Sequence, residues 1–286
     1  MNNYTIVCDS ACDLSPEMLK ERNLSSVSLT YRFDGDQKEY CAYDLNAHEF
    51  YNKIKSGTVA KTSGANAHDF IALFEPILLE GHDILYLGFS SALSTTFNSS
   101  KIAAEELRKK YHDKNIVLVD TLCASAGIAM MLDLALEMQS SGESIDRVAE
   151  FIEKTKLHIC HWFTVDNLEY LKRGGRISST SAFFGNMIGI KPVLHVDNAG
   201  RLVNRLKVRG RRTAIAAMAE KFSELSDNCR YVYISHADCP SDAMHLSNLL
   251  KERYGVETRL ITDIGAVIGA HAGPGTLALF FLGKER

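Results

Sequence analysis

The chain has only 5 prolines in 286 residues, no apolar run near the length of about 18 residues that crosses a membrane, and no cysteines at Cys-x-x-Cys spacing. With 46% hydrophobic and 23% charged residues, the scarcity of proline excludes a disordered chain. The absence of a long run excludes a membrane-spanning helix. The cysteines, at positions 8, 12, 41, 123, 160, 229 and 239, are odd in number, lack zinc or redox spacing, and read as reduced thiols. Cys160 and His161 are neighbours, but successive strand residues point to opposite faces, so no metal site is expected. Gly-x-x-x-x-Gly-Lys-Ser/Thr is absent and no Gly-x-Gly-x-x-Gly follows the first strand, which leaves no nucleotide motif and no expected cofactor. An excess of positive charge is missing too. The formal charge of -3 argues against a nucleic-acid partner. No basic start leads into an apolar core, since Cys8, Asp9 and Asp13 follow Met1 closely, so a cytoplasmic protein is expected.

What is present is a chain long enough for two domains, placed at 1–156 and 157–286. In the first, short apolar runs (Tyr4 to Cys8, Ser26 to Phe33, Asp83 to Gly88, Asn115 to Val119) read as strands. They alternate with helical patterns that begin near Pro16 with Ser15 as cap, and cover Asn46 to Lys55, Ala67 to Leu79, Thr95 to Lys110, Ala124 to Gln139 and Ile145 to Lys156. Such alternation predicts an α/β domain, a parallel sheet flanked by helices. Ligands of such sheets sit beyond the carboxyl ends of the strands, where Asp9-Ser10, Ser90 to Ser94 and Asp120-Thr121 are expected to share one edge. The second half opens with a strand from Leu157 to Val165, a short helix from Asn167 to Arg176 broken at Gly174-Gly175, and an apolar helix from Thr180 to Ile190. A hairpin (Lys191 to Val196, Arg201 to Arg209), helices at Arg211 to Leu225 and Ser241 to Tyr254, and strands at Tyr231 to Ser235, Glu257 to Ile261 and Thr276 to Leu282 complete a mixed-sheet α/β domain, with a ligand between the two.

The stretch Leu87 to Asn98 is the centre of this pattern. A buried strand runs into a turn full of hydroxyls, and Ser94 stands at the expected helix cap, where its side chain and the free amides can hold an anionic oxygen. No lysine or arginine lies in the turn, which favours a carboxylate or a neutral polar head over a phosphate. The plain alternative, that Ser94 only caps its helix, has equal standing. Lys61 to Asn66 is read as a second polar loop, carrying Thr62 and Ser63 into a helix, and His271 falls in the Gly/Pro-rich turn Gly269 to Gly275. A lone histidine is more often structural, but a rigid turn favours an aimed imidazole. Thr62, Ser63, Ser94, Thr95 and His271 together form a candidate carboxylate site. An apolar tail of roughly fifteen methylenes would add on the order of 12 kcal/mol before ordering costs. An esterase is the alternative: Gly88-Phe89-Ser90-Ser91-Ala92 approaches a nucleophile elbow but lacks its last glycine, and Ser90 or Ser94 with Asp238 or Asp263 and His271 has the order of a triad. Arg201 to Arg212 holds six basic residues and no acid, which suits either a solvated sheet edge or the docking of an acidic partner or phosphate.

Across the whole chain the motifs resemble the DegV family, which includes the fatty-acid-binding subunits of bacterial fatty acid kinase. The resemblance rests on Asp9-Ser10-Ala11-Cys12-Asp13-Leu14, Thr62-Ser63, Ser90 to Ser94, Tyr170 to Ser178, Lys191-Pro192 and His271 to Gly275. It implies two α/β domains around a long-chain fatty acid of the palmitate or oleate class, whose carboxylate is held by hydroxyls matching Thr62 and Ser94 with His271 nearby. It also implies a carrier and not a catalyst: a separate ATP-dependent fatty acid kinase subunit makes an acyl phosphate for phospholipid synthesis, with transient membrane contact. Arg173, Arg176, Arg201, Arg205 and Arg209 are then expected to face that partner. Two stretches depart from the family pattern. Gly64-Ala65-Asn66 stands where proline and serine are common, and Thr95-Thr96-Phe97-Asn98 replaces Gly-Thr-Tyr-Gln, so head-group geometry is expected to differ.

Overall fold

The computed structural model describes residues 3–177 and 189–286. The N-terminal half begins with β1 (Tyr4–Asp9), α1 (Pro16–Glu21), β2 (Ser25–Val27), β3 (Thr30–Phe33), β4 (Tyr40–Cys41), α2 (Ala47–Lys55) and β5 (Ala60–Ser63). It continues with α3 (Ala67–Leu79), β6 (Asp83–Gly88), α4 (Thr96–Lys110), β7 (Ile116–Asp120), α5 (Ala126–Ser140) and α6 (Ile145–Thr155). The helix starts follow local chemistry. Ser15 accepts from the Met18 amide, and Asn46 with Glu49 and Asn66 with Asp69 close capping boxes. After a short 3-10 helix at Lys156–His158 come β8 (Ile159–Thr164), α7 (Glu169–Arg173), β9 (Ile190–Val196), β10 (Leu202–Arg209) and α8 (Arg211–Leu225). The last elements are β11 (Tyr231–His236), α9 (Pro240–Tyr254), β12 (Glu257–Asp263), α10 (Ala266–Ala272) and β13 (Leu277–Leu282).

Among the described residues three sheets form. The parallel sheet has the order β2-β1-β6-β7, and a mixed sheet runs β10-β9-β8-β13-β11-β12 with only β11 and β12 parallel. The fold is therefore α/β, as expected. Between the two sheets lies α5, buried without a break from Ala126 to Asp133 because its sequence is apolar on every face. Its one acid there, Asp133, accepts from Arg22 Nε at 2.8 Å and from the Tyr233 hydroxyl. A single hydrophobic cluster contains Ile6 and Leu85 of the parallel sheet and Phe163, Tyr233 and Phe280 of the mixed one.

Several elements differ from expectation. The stretch Ser26 to Phe33 is two strands, and β3 pairs with β4 and β5 in a small antiparallel sheet. Ser28 and Leu29 break it: the Ser10 hydroxyl accepts from the Leu29 amide at 2.9 Å and turns the chain out of the parallel sheet. Thr62 and Ser63 consequently lie on β5, not in a loop. The segment around His271 is the helix α10, which Gly269 within it and Gly273 and Gly275 just after it concealed. Of the apolar helix expected over Thr180 to Ile190, residues up to 188 lie outside those described, while Ile190 opens β9.

Candidate ligand-binding site

The ends of β1, β6 and β7 share one edge, and buried side chains tie them. Asp9 Oδ2 accepts from the Phe89 amide at 2.8 Å and the Tyr86 hydroxyl at 2.6 Å, and Oδ1 accepts from the Ala11 amide at 3.0 Å. Burial pushes the Asp9 carboxyl up, against the pull of these donors. Asp120 Oδ1 accepts from the Ser91 amide at 3.2 Å, and Thr121 Oγ1 donates to the Gly88 carbonyl at 2.7 Å. The turn from Phe89 to Thr95 is thus held rigidly from both flanking strands. The helix after it starts one residue later than the sequence suggests. Thr95 occupies the cap position with helical angles and makes no cap bond, while Ser94 Oγ accepts from the Thr96 amide at 3.2 Å and lies 2.8 Å from Thr96 Oγ1. Thr95 is exposed at this point.

Gly64 is what allows β5 to meet this turn. A Cβ built there would lie 2.8 Å from Thr96 Oγ1, 3.2 Å from Ser94 Oγ and 3.3 Å from Thr95 Oγ1. On β5 itself, Thr62 Oγ1 is 2.7 Å from His271 Nε2. Among the described residues the Nδ1 atom of His271 is buried with no hydrogen-bond partner, so a proton there would leave a buried donor unmet. We therefore assign the proton to Nε2, which donates to Thr62 Oγ1 and leaves the Thr62 hydroxyl proton free for a ligand. Burial, then the Arg176 and Arg173 cations, pull the His271 pKa down to about 4, which keeps the imidazole neutral.

From this polar corner a cavity of about 240 Å³ extends between the two halves. Thr62, Ser63, Gly64, Ser94, Thr95 and His271 line one end. Most of the remaining wall is apolar and comes from both halves, with Leu29, Phe89 and Leu93 facing Phe163, Ala278 and Phe280. Every residue of the expected carboxylate site thus borders one cavity. The basic residues divide. Arg176 is half-buried and lines the cavity, its Nε donating to the Leu93 carbonyl at 3.1 Å, so it contributes to the wall. Arg173 is exposed with its guanidinium 4.9 Å from the Tyr170 ring centre, and Arg201, Arg205 and Arg209 are exposed on or beside the edge strand β10.

The triad of the alternative reading does not assemble. Ser90 Oγ is fully buried and donates to the Gly200 carbonyl at 3.0 Å, His271 pairs with Thr62, Asp238 pairs with Lys55 and His48, and Asp263 lies 3.4 Å from His236. Ser94 is engaged with Thr96. Among the described residues no cluster of three or more His, Cys, Asp or Glu is arranged to hold a metal, and the thiols are free. Sequence reasoning missed His161 and Ser125, which also line the cavity. Strand alternation held the signal for His161, since it shares a face of β8 with Phe163 while Cys160 and Trp162 face the opposite core.

Comparison with known proteins adds to this geometry. The family model for DegV, described as a family of uncharacterised proteins, matches residues 3–284. A DegV domain-containing protein of Clostridium perfringens is 42% identical over 289 residues, which cover 100% of this chain and 99% of that protein. A fatty acid-binding protein of Thermotoga maritima is 32% identical over 95% of both chains. The structure of a DegV family protein from Thermus thermophilus, described for its fatty acid binding, is 29% identical with a TM-score of 0.88, and the match covers 98% of this chain and 99% of that one.

Proposed function

The chain belongs to the DegV family, and on that premise we propose that it carries a long-chain fatty acid and presents the carboxylate to a separate ATP-dependent kinase subunit, which forms an acyl phosphate for phospholipid synthesis. The observation that carries this reading is the cavity: one end is built of hydroxyls and a neutral imidazole, and the rest is mainly hydrocarbon. A buried carboxylate needs several donors. The hydroxyls of Thr62, Ser63, Ser94 and Thr95 supply them, with His271 orienting Thr62 from behind. The tail supplies the affinity, at about 0.8 kcal/mol for each buried methylene. The protein acts as a carrier and not as a catalyst in this reading, in the cytoplasm, with its halves divided near residue 157 and with transient membrane contact during loading.

Mass spectrometry of a solvent extract from freshly purified protein tests it. A fatty acid near one per chain is expected, with affinity reduced at least about tenfold in a Thr62→Ala, Ser94→Ala double variant, because hydrogen bonds to a charged group contribute about 1.5 to 3 kcal/mol each. Failure to retain or take up palmitate or oleate overturns the reading. Docking of the kinase is assigned to the exposed Arg173, Arg201, Arg205 and Arg209. Charge reversal at Arg205 and Arg209 is expected to abolish acyl phosphate formation at low salt while fatty acid binding persists, and undiminished formation would remove this surface from the proposal.

A further inference from the structure

The strand register orients the cavity. Thr276, just before β13, borders it and donates to the Ala272 carbonyl next to His271, and Ala278 and Phe280 follow along β13. Phe280 is paired with His161 and Ala278 with Phe163. Four residues of strand at about 3.3 Å each place Phe280 and His161 roughly 13 Å from Thr276. His195 pairs with Trp162 and Leu202 with Val196, so Val196 and Leu202 lie at the same remote end as His161, and the Ala124 amide donates to His161 Nε2 at 3.3 Å. The remote wall therefore consists of Ala124, His161, Val196, Leu202 and Phe280.

Behind that wall sits one side chain. Arg286 Nη1 donates to the Leu122 carbonyl at 2.8 Å and the Asp197 carbonyl at 3.3 Å. Its Nε donates to the Ile159 carbonyl at 3.0 Å, and Nη2 donates to the Lys156 carbonyl at 2.6 Å and to Cys123 Sγ at 3.1 Å. These acceptors belong to three separate segments, and each segment carries a wall residue within two positions: Cys123 precedes Ala124, Ile159 is two before His161, and Asp197 follows Val196. The planar guanidinium, with donors in a fixed fork, ties the Leu122–Cys123 segment, which belongs to no strand, to the paired ends of β8 and β9. The cation also helps to keep His161 neutral, after the larger effect of burial, which leaves an uncharged surface toward a tail.

We propose that Arg286 is a specificity-determining positioning residue: by joining the segments that carry Ala124, His161 and Val196, it fixes the remote wall and so selects the length of acyl chain the cavity accepts. This deepens, and rests on, the fatty acid reading above. A lost brace lets the wall recede, which favours longer tails over shorter ones and does not weaken all tails alike.

The experiment measures affinities of the whole protein for myristate, palmitate, stearate and arachidate in the parent, Arg286→Ala, Arg286→Lys and Leu202→Trp. The Arg286→Ala variant is expected to raise the ratio of arachidate to palmitate affinity about tenfold or more, the lower end of the effect that one methylene has in an apolar pocket. Arg286→Lys is expected to restore part of the parent ratio, and Leu202→Trp, which fills the remote end, to move it about fivefold the other way. A uniform loss across the series in Arg286→Ala, or an unchanged ranking there while Leu202→Trp shifts it, overturns the proposal. If Arg286→Ala does not fold, Arg286→Lys must show the same shift in smaller degree, and its absence counts against the proposal. A parent that binds none of the series removes the fatty acid reading and the length claim with it. Amide exchange at Ala124 in the ligand-free protein, expected to quicken in Arg286→Lys, then judges the brace alone.

Discussion

Asp13 belongs to the first motif of the chain and stands apart from the candidate carboxylate site, yet it is among the most constrained side chains. It takes the left-handed conformation at φ 54, and its buried carboxylate accepts from the Ser125 hydroxyl and, at 2.9 Å, from the Gly265 amide. Ser125 also lies 2.9 Å from Ser235 Oγ, so three segments meet at one acid. Burial, above all, pushes the Asp13 pKa up from 3.8 to about 7. The folded state then holds the proton more tightly than the unfolded chain. Stability tied to Asp13 is complete below the unfolded value and is lost as pH rises through about 7, an effect on the order of 4 kcal/mol. The lowered pKa values of His161, His195 and His271 act in the opposite sense, since their stability is lost as pH falls below about 6.5. Comparison with Asp13→Asn isolates the acid. The Asp13→Asn variant is expected to gain in melting temperature relative to the parent between about pH 4 and pH 7, and parallel curves would show that Asp13 does not titrate there.

Among the elements, α10 and the turn after α7 depend on close approach. Gly174 has ordinary helical angles, but a Cβ there would lie 2.1 Å from His271 Nδ1. Gly174→Ala is therefore expected to leave the backbone intact and displace the imidazole from Thr62, weakening fatty acid binding about tenfold with an unchanged far-ultraviolet circular dichroism spectrum. Unaltered binding would mean that His271 does not orient Thr62. Reading α10 as a turn had a physical cause: Gly269, Gly273 and Gly275 count against a helix locally, and packing against α2, α7, β3 and β5 outweighs that. Likewise Ser26 to Phe33 reads as one strand because its apolar run is continuous, whereas a hydroxyl 19 residues away, on Ser10, divides it.

For the molecule as a whole, α5 decides how the halves depend on each other. It packs on β1 and β6 from one side and on β11 and β13 from the other, inside one hydrophobic cluster. Residues 1–156 by themselves would leave the face of α5 that packs on β8, β11 and β13 open to water. A single calorimetric transition is expected for the whole chain, and isolated 1–156 is expected to lack dispersed amide resonances. Two resolved transitions, or a well-folded 1–156, would show that each half is independently stable.

From the sequence alone came the α/β class, the parallel and mixed sheets, most helix limits, and the edge where Asp9, Ser90 and Asp120 meet. These follow from periodicity, caps and breakers that act within a few residues of themselves. Thr62, Ser94 and His271 were also legible as residue types, through hydroxyls at turns and a histidine among glycines. Tertiary structure alone decided that Thr62 and His271, 209 positions apart, lie within hydrogen-bonding distance, that Arg176 lines the cavity, and that Arg286 joins three segments of the chain. Those relations depend on how two sheets close over α5, and burial of that kind sets both the neutral state of His271 and the raised pKa of Asp13.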